Sequence, residues 1–235
     1  MMLLTAPLLM LVQAGMKPED TERWSPVPPA VEAPEGRPPS DAVVLFDGRS
    51  LAGWVGADGG PAKWTVQNGA MRVTPKTGDI ASRERFGDVQ LHVEWRTPTS
   101  DKEGQARSNS GVFLMGLYEV QVLDSYRAKT YVNGQAASLY KQHAPLVNAS
   151  RPPGSWQSYD IVFRAPRFDG DRLVRPARVT VFHNGVLVQH DAELAGPTVY
   201  IGKPEYKPHA AALPITLQDH GDLIEYRNIW ARRLR

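Results

Sequence analysis

The chain has 235 residues, 42% of them hydrophobic, so it can bury a sizeable core, and a wholly disordered chain is excluded. Its 20 glycines and 20 prolines disfavour a helical bundle and favour many turns. Lys and Arg total 27 against 25 Asp and Glu, a net charge of +2 with no basic stripe, which argues against a nucleic-acid partner. Cysteine is absent, which excludes disulfides, thiolate zinc sites, cysteine nucleophiles and a lipobox anchor.

Residues 1–12 are apolar apart from Thr5 and are interrupted by Pro7. That stretch is too short to span a bilayer, which needs roughly 20 residues. Val12-Gln13-Ala14 offers small residues where a signal peptidase reads, so residues 1–14 are expected to be a signal peptide, although no Lys or Arg precedes the apolar run. The expected location is exported, periplasmic or extracellular. Residues 15–40 hold seven of the 20 prolines, including Pro28-Pro29 and Pro38-Pro39, and read as an extended linker or arm. Trp24 is the residue expected to pin that arm. The folded domain is expected over 41–235.

From Asp41 onward the apolar runs have period two and are bounded by Gly, Pro, Asn or Asp. Residues 63–67 and 70–73 flank Asn68-Gly69, a hairpin turn; 178–182 and 186–188 flank His183-Asn184-Gly185, a second one. Along 88–96, Val89, Leu91, Val93 and Trp95 share one face, and Gln90, His92, Glu94 and Arg96 the other. Further strands are expected at 110–115, 117–123, 158–163, 215–217 and 223–230. Many short strands without a lasting 3.6-residue stripe predict an all-β sandwich. Trp64, Trp95 and Trp230 are expected in the core and Trp54 under its turn. His183, His190 and His209 are expected at the surface.

Polar residues recur on several of these strands. On one isolated strand, His92, Glu94 and Arg96 would be a solvated outer face. Glu119 and Gln121 share a side of the next strand, Asn109-Ser110-Gly111 opens another, and Gln218-Asp219-His220-Gly221 ends a third. Together they suggest one concave polar face on which a sugar chain would lie.

The sequence Phe46-Asp47-Gly48-Arg49-Ser50-Leu51-Ala52-Gly53-Trp54 resembles the opening of the 3-keto-disaccharide hydrolase domains, long catalogued as a domain of unknown function. The resemblance continues through Leu91-His92-Val93-Glu94-Trp95-Arg96, Asn109-Ser110-Gly111, Tyr118-Glu119-Val120-Gln121-Val122-Leu123-Asp124, Gly154-Ser155-Trp156-Gln157 and Leu217-Gln218-Asp219-His220. It implies a concanavalin A-like jelly-roll sandwich of two antiparallel sheets. It also implies cleavage of glycosides already oxidised at C3, which places a sugar 3-dehydrogenase before it as a functional partner.

A C3 ketone acidifies the C2 proton, so a base can remove it and the C1 oxygen can leave by β-elimination, with water adding back to give net hydrolysis. The reaction needs a base near C2, stabilisation of the C3 oxyanion and an acid at the leaving oxygen. Glu119 and His220 are the expected proton-transfer residues, with Glu94 and Gln121 orienting them. His92, Arg96 or a divalent cation would meet the oxyanion. Asn109, Asp124, Tyr140, Trp156 and Gln218 complete the expected substrate contacts. His92, Glu94, Glu119 and His220 are acceptable metal ligands, but no H-E-x-x-H spacing is present, so a cation stays open.

Two rivals share these residues. Glu119-x-Gln121-x-x-Asp124 resembles the E-x-D-x-x-E frame of retaining glucanases, whose two carboxyls stand about 5–5.5 Å apart, but the central acid is missing and Asp is shorter than Glu. A lectin-like module would instead stack sugars on Trp156, Tyr140 and Tyr126. No phosphate loop, dinucleotide fingerprint or G-x-S-x-G elbow occurs.

Overall fold

The computed structural model describes residues 15–234, so the expected signal peptide at 1–14 lies outside the described residues. Fifteen strands follow one another: β1 (Val43–Phe46), β2 (Trp54–Gly56), β3 (Thr65–Gln67), β4 (Ala70–Arg72), β5 (Ile80–Phe86), β6 (Val89–Arg96), β7 (Asn109–Leu114) and β8 (Tyr118–Leu123). After a long excursion come β9 (Gln157–Arg164), β10 (Arg167–Asp169), β11 (Arg172–Arg175), β12 (Arg178–His183), β13 (Val186–Glu193), β14 (Leu213–Leu217) and β15 (Glu225–Arg233). The only helical pieces among the described residues are three short 3-10 turns.

Thirteen of the strands form an eight-stranded sheet ordered β13-β12-β9-β6-β15-β4-β3, with β1 on β15, and a five-stranded sheet ordered β2-β5-β14-β7-β8, while β10 and β11 pair with each other. The pairings in both sheets are antiparallel. The molecule is the expected concanavalin A-like jelly-roll sandwich. Both hairpins form, because Asn68 and Gly69, and again Asn184 and Gly185, take the positive φ that a type I′ turn demands.

Period-two burial decides which face meets the core. Val89, Leu91, Val93 and Trp95 of β6 pack inward with Tyr159, Ile161 and Phe163 of β9, against Val112 and Leu114 of β7, Val120 and Val122 of β8, and Ile215 and Leu217 of β14. Trp54 and Trp64 are buried as expected, and the Trp54 indole donates to the Leu45 carbonyl at 2.9 Å. Trp230 is buried outside the core: Ile229 and Ala231 take the inward positions of β15, and the Trp230 ring stacks on His92 at 5.1 Å on the outer face. His183 is not at the surface: it ends β12 on the core side, 1% exposed, with its ring stacked near Trp95 at 5.7 Å. Burial, with Arg151 as a lesser cause, lowers its pKa to about 4, so it is a neutral core imidazole.

Beyond the regular strands, the arm at 15–40 is exposed for nearly its whole length, and Trp24 is 82% exposed, so it does not act as the pin. The Ser40 hydroxyl accepts from the Glu32 amide at 3.0 Å and closes a loop within the arm.

Two tyrosines tie the layers together behind β7 and β8. The Tyr159 hydroxyl donates to the Gln121 carbonyl at 2.7 Å, and the Tyr226 and Ser110 hydroxyls are 2.7 Å apart. The Gln121 carbonyl also accepts from the Ala137 amide, so Tyr159→Phe strands no acceptor. The expected cost is about 1 kcal/mol, read as a lower urea midpoint at unchanged slope.

Candidate active site

Strands β7 and β8 pair from Asn109↔Leu123 to Leu114↔Tyr118 without a register shift. Side chains therefore alternate strictly, and Glu119 and Gln121 project from the outer face of the five-stranded sheet. Asn109, Gly111 and Phe113 of β7 face the same way. The peptide after β14 continues across this face: the Gln218 amide donates to the Gly111 carbonyl at 3.0 Å. These elements floor a cavity of about 320 Å³, with His220, Gln218, Glu119, Gln121 and Asn109 among its lining.

Two loops roof it. The segment after β8 returns along the sheet edge and brings Tyr140 over Glu119, with the Tyr140 amide 3.4 Å from the Glu119 carbonyl. The segment between β13 and β14 brings Thr198 and Tyr200, and the Thr198 hydroxyl accepts from the Glu119 amide at 3.0 Å. The loops interlock: Gln142 donates to the Gly196 carbonyl at 3.0 Å and accepts from the Ala195 amide at 2.8 Å.

The roof leaves Glu119 only 6% exposed although it points away from the core. Burial, followed by repulsion from Asp79, pushes its carboxyl up to about 8. With the Gln121 amide turned toward it, the amide nitrogen donates to Glu119 Oε1 at 2.7 Å and to the Ser110 carbonyl at 3.2 Å. Gly111 makes room for this arrangement. A Cβ there would lie 2.7 Å from Glu119 Oε1 and 2.7 Å from Phe113 Cε2.

His220 is held by its neighbour. Asp219 accepts from the amides of Thr77 and Gly78, each at 3.0 Å, and from that of Gly221 at 2.9 Å. The Asp219 amide in turn donates to Asp79 at 2.8 Å. This clamp leaves the exposed His220 ring at the cavity mouth, without a hydrogen bond among the described residues. Burial is the main cause that raises Asp79 above the ordinary carboxylate range. Gln218 Oε1 is buried without a hydrogen-bond partner among the described residues.

The structure thus gathers Glu119, His220, Gln121, Asn109, Gln218 and Tyr140. It does not bring Glu94, His92, Arg96 or Trp156 to them. Those residues extend from the outer face of the eight-stranded sheet, on the far side of the sandwich, because β6 turns its odd-numbered residues into the core. The expected single polar face is two faces.

On that far side the charges satisfy one another. His92 Nδ1 is 2.7 Å from Asp160, Arg227 donates to Glu94 at 2.6 Å and Asn228 donates to Glu94 at 2.8 Å. Arg96 pairs with Glu225, and the guanidinium groups of Arg227 and Arg96 lie 4.0 and 4.7 Å from the centre of the Trp156 ring. Burial alone would lower His92, but Asp160 and Glu94 outweigh it and raise its pKa to about 9. The His92 ring holds Glu94 down to about 2, against the opposing effect of burial.

Asp124 is also displaced from its expected role. Its carboxylate accepts from Arg107 at 2.8 Å and from the Tyr126 amide at 3.2 Å, at the end of β8. The unbroken β7–β8 register supplies no bulge to carry it round to the face of Glu119, so the glucanase frame is not assembled. Asp79, Phe113, Thr198 and Tyr200 were not foreseen from the sequence. Asp219-x-Gly221, an Asx-turn signature beside His220, was the one available signal.

Among the described residues, no group of three or more His, Asp or Glu side chains is placed to hold a metal ion, although Glu119 and His220 are suitable ligand types. No helix among them is long and apolar enough to cross a membrane.

An all-β sandwich with a buried carboxyl and an imidazole in one polar cavity is the class that this fold and site define. The chain belongs to the family of the 3-keto-alpha-glucoside-1,2-lyase-like domain, whose model matches residues 41–232. It is 26% identical over 156 residues to a 3-keto-disaccharide hydrolase of Bacteroides thetaiotaomicron, covering 51% of each chain. The chain thus spans about half the length of that curated relative. A crystal structure from Parabacteroides distasonis, provisionally named a glycosyl hydrolase, superposes with a TM-score of 0.90 at 47% identity, covering 94% of this chain and 98% of the other. A second protein so named from the same organism has a TM-score of 0.61 at 20% identity, covering 83% and 94%, and shows the fold.

Two measurements check this assignment of faces. Gly111→Ala should push the Glu119 carboxylate toward solvent and bring its pKa down from about 8, which carboxyl-carbon NMR titration would reveal. For His92, the stabilisation is fully present below about 6.5, the ordinary histidine value, and is lost as pH rises through about 9. His92→Gln should therefore cost about 1–3 kcal/mol at pH 6 and clearly less at pH 10, in denaturant melts at the two pH values.

Proposed function

We propose that the protein cleaves the glycosidic bond of 3-keto-glycosides by removing the C2 proton and eliminating the substituent at C1. The supporting observation is the sharing of one cavity by Glu119, whose carboxyl stays protonated near neutrality, and the exposed imidazole of His220. Titratable groups whose environments differ in this way can divide acid and base work between them.

In this reading His220 accepts the C2 proton. The C–H electron pair first spreads over C2, C3 and the ketone oxygen as an enolate. It then forms the C1–C2 double bond as the C1–O bond breaks. Glu119 donates its proton to the departing oxygen. The products are the alcohol and an unsaturated 3-keto sugar; addition of water across the double bond completes net hydrolysis. Asn109 and Gln218 offer neutral amides to the keto sugar. Their type suits a neutral ligand, as the near-balanced charge of the chain does. The substrate requires prior oxidation at C3, so a sugar 3-dehydrogenase acts before this protein. The apolar segment at 1–12, read as part of a signal peptide, supports a location outside the cytoplasm for this reaction.

Incubation with a 3-keto-glucoside and with the matching unoxidised glucoside, with and without chelator, tests the proposal. Turnover of the keto substrate alone is the expected result. No turnover across several linkages would refute it, and saccharide binding that persists in Glu119→Gln and His220→Ala would assign a binding role instead. Glu119→Gln should lower kcat/KM by about 10²–10⁴-fold. Because the protonated acid is the active form, kcat/KM of the unaltered protein should fall as pH rises through about 8. The same substitution should raise thermal stability, by a margin that grows between pH 5 and 8, since it removes a carboxylate whose ionisation opposes folding in that window.

A further inference from the structure

The order of strands gives the cavity a direction. In the five-stranded sheet β14 lies on one side of β7 and β8 on the other. His220 and Gln218 follow β14. Asn109, Gly111 and Phe113 come from β7, Glu119 and Gln121 from β8. Beyond β8 the Leu139 backbone bridges Val120 and places Tyr140 past the sheet edge. The cavity therefore runs from His220, over two strand spacings of together about 10 Å, to Glu119 and then to the tyrosines. A keto sugar whose C2 faces His220 and whose C1 oxygen faces Glu119 must send its C1 substituent toward the tyrosine end.

That end is shaped for a flat, apolar surface. Tyr140 and Tyr200 line it; Tyr200 is 71% exposed and the adjacent Ile201 83% exposed. Exposed side chains of this kind usually wander, but Tyr200 is braced. Lys141 Nζ donates to the Tyr200 carbonyl at 2.6 Å and sits 4.2 Å from the centre of the Tyr200 ring. Lys141 itself holds φ at 60°, a conformation that non-glycine residues seldom adopt, which aims its side chain into this cluster. The Tyr131 and Tyr140 hydroxyls, 2.7 Å apart, fix the second ring.

We infer that the β8 side of the cavity is the leaving-group subsite, in which Tyr200 and Tyr140, braced by Lys141, stack against a planar apolar face: an aryl aglycone or the C–H face of a second sugar ring. The inference rests on the acid and base roles proposed above. Tyr200 is then a specificity-determining residue and Lys141 a positioning residue.

The test compares kcat/KM for three 3-keto-glucosides, with methyl, 4-nitrophenyl and glucosyl substituents at C1. The unaltered protein should prefer at least one of the two larger substituents over methyl; which one identifies the source of the flat face. Tyr200→Ala should cut that preference about 3- to 10-fold, through KM rather than kcat. Lys141→Met should reduce it in part and Lys141→Arg should retain it. An unchanged preference in Tyr200→Ala, or an equal loss for methyl, would overturn the subsite.

If no 3-keto-glycoside is turned over, the proposed reaction fails while the subsite is still decided by calorimetry. Phenyl glucoside binding more tightly than methyl glucoside, with the advantage lost in Tyr200→Ala, supports the subsite. Equal binding refutes it.

Discussion

The unbroken register between β7 and β8 is the constraint from which the site follows. A single bulge would send Glu119 into the core and Val120 outward. Without one, Val120 and Val122 complete the sandwich interior and Glu119 emerges on the opposite side, where loops rather than core side chains bury it. The carboxyl is thus desolvated without any packing role. Its environment is set by elements distant in sequence: Gly111 beneath, Thr198 at its backbone, and Tyr140 and Tyr200 above.

The two polar surfaces of the molecule answer the same physical chemistry in opposite ways. Glu94 and Glu119 are both outward-facing glutamates on strands. Glu94 has a histidine, an arginine and an amide within reach and titrates at about 2. Glu119 has burial, a nearby second carboxyl and one amide, and titrates at about 8. A charge surrounded by partners contributes to the fold, whereas burial without partners favours the neutral, protonated form. The far-side network ties β6, β9 and β15 together, and it shows why residue type alone could not distinguish structure from chemistry.

Alternation and turn residues made most of the sandwich readable in the sequence. β6 and both Asn-Gly hairpins follow directly from them. β5 escaped because Arg83-Glu84-Arg85 is polar at three successive positions, so no period of two survives. His183 looked like a turn residue, yet parity along β12 turns it inward. In the site, Glu119, Gln121, Asn109 and His220 were legible because each stands in a short motif. Which sheet carried His92, Glu94 and Arg96 was not, since alternation tells which residues share a face but never which sheet that face belongs to. Thr198 and Tyr200 reach the cavity through loop closure alone, and Asp79 acts on it from behind Asp219, which leaves no periodic trace.

The return of residues 137–140 along β8 has a role beyond roofing a cavity. β8 is the terminal strand of its sheet, and its outward backbone groups are met by this segment: the Gln121 amide donates to the Ser138 carbonyl and the Ala137 amide to that of Gln121. A terminal strand left bare is a template for pairing with another chain. The same peptide that closes over Glu119 therefore caps the strand against self-association. Substitutions that loosen it would be selected against for loss of solubility even when the chemistry survives, so the loop is held in place by two independent demands.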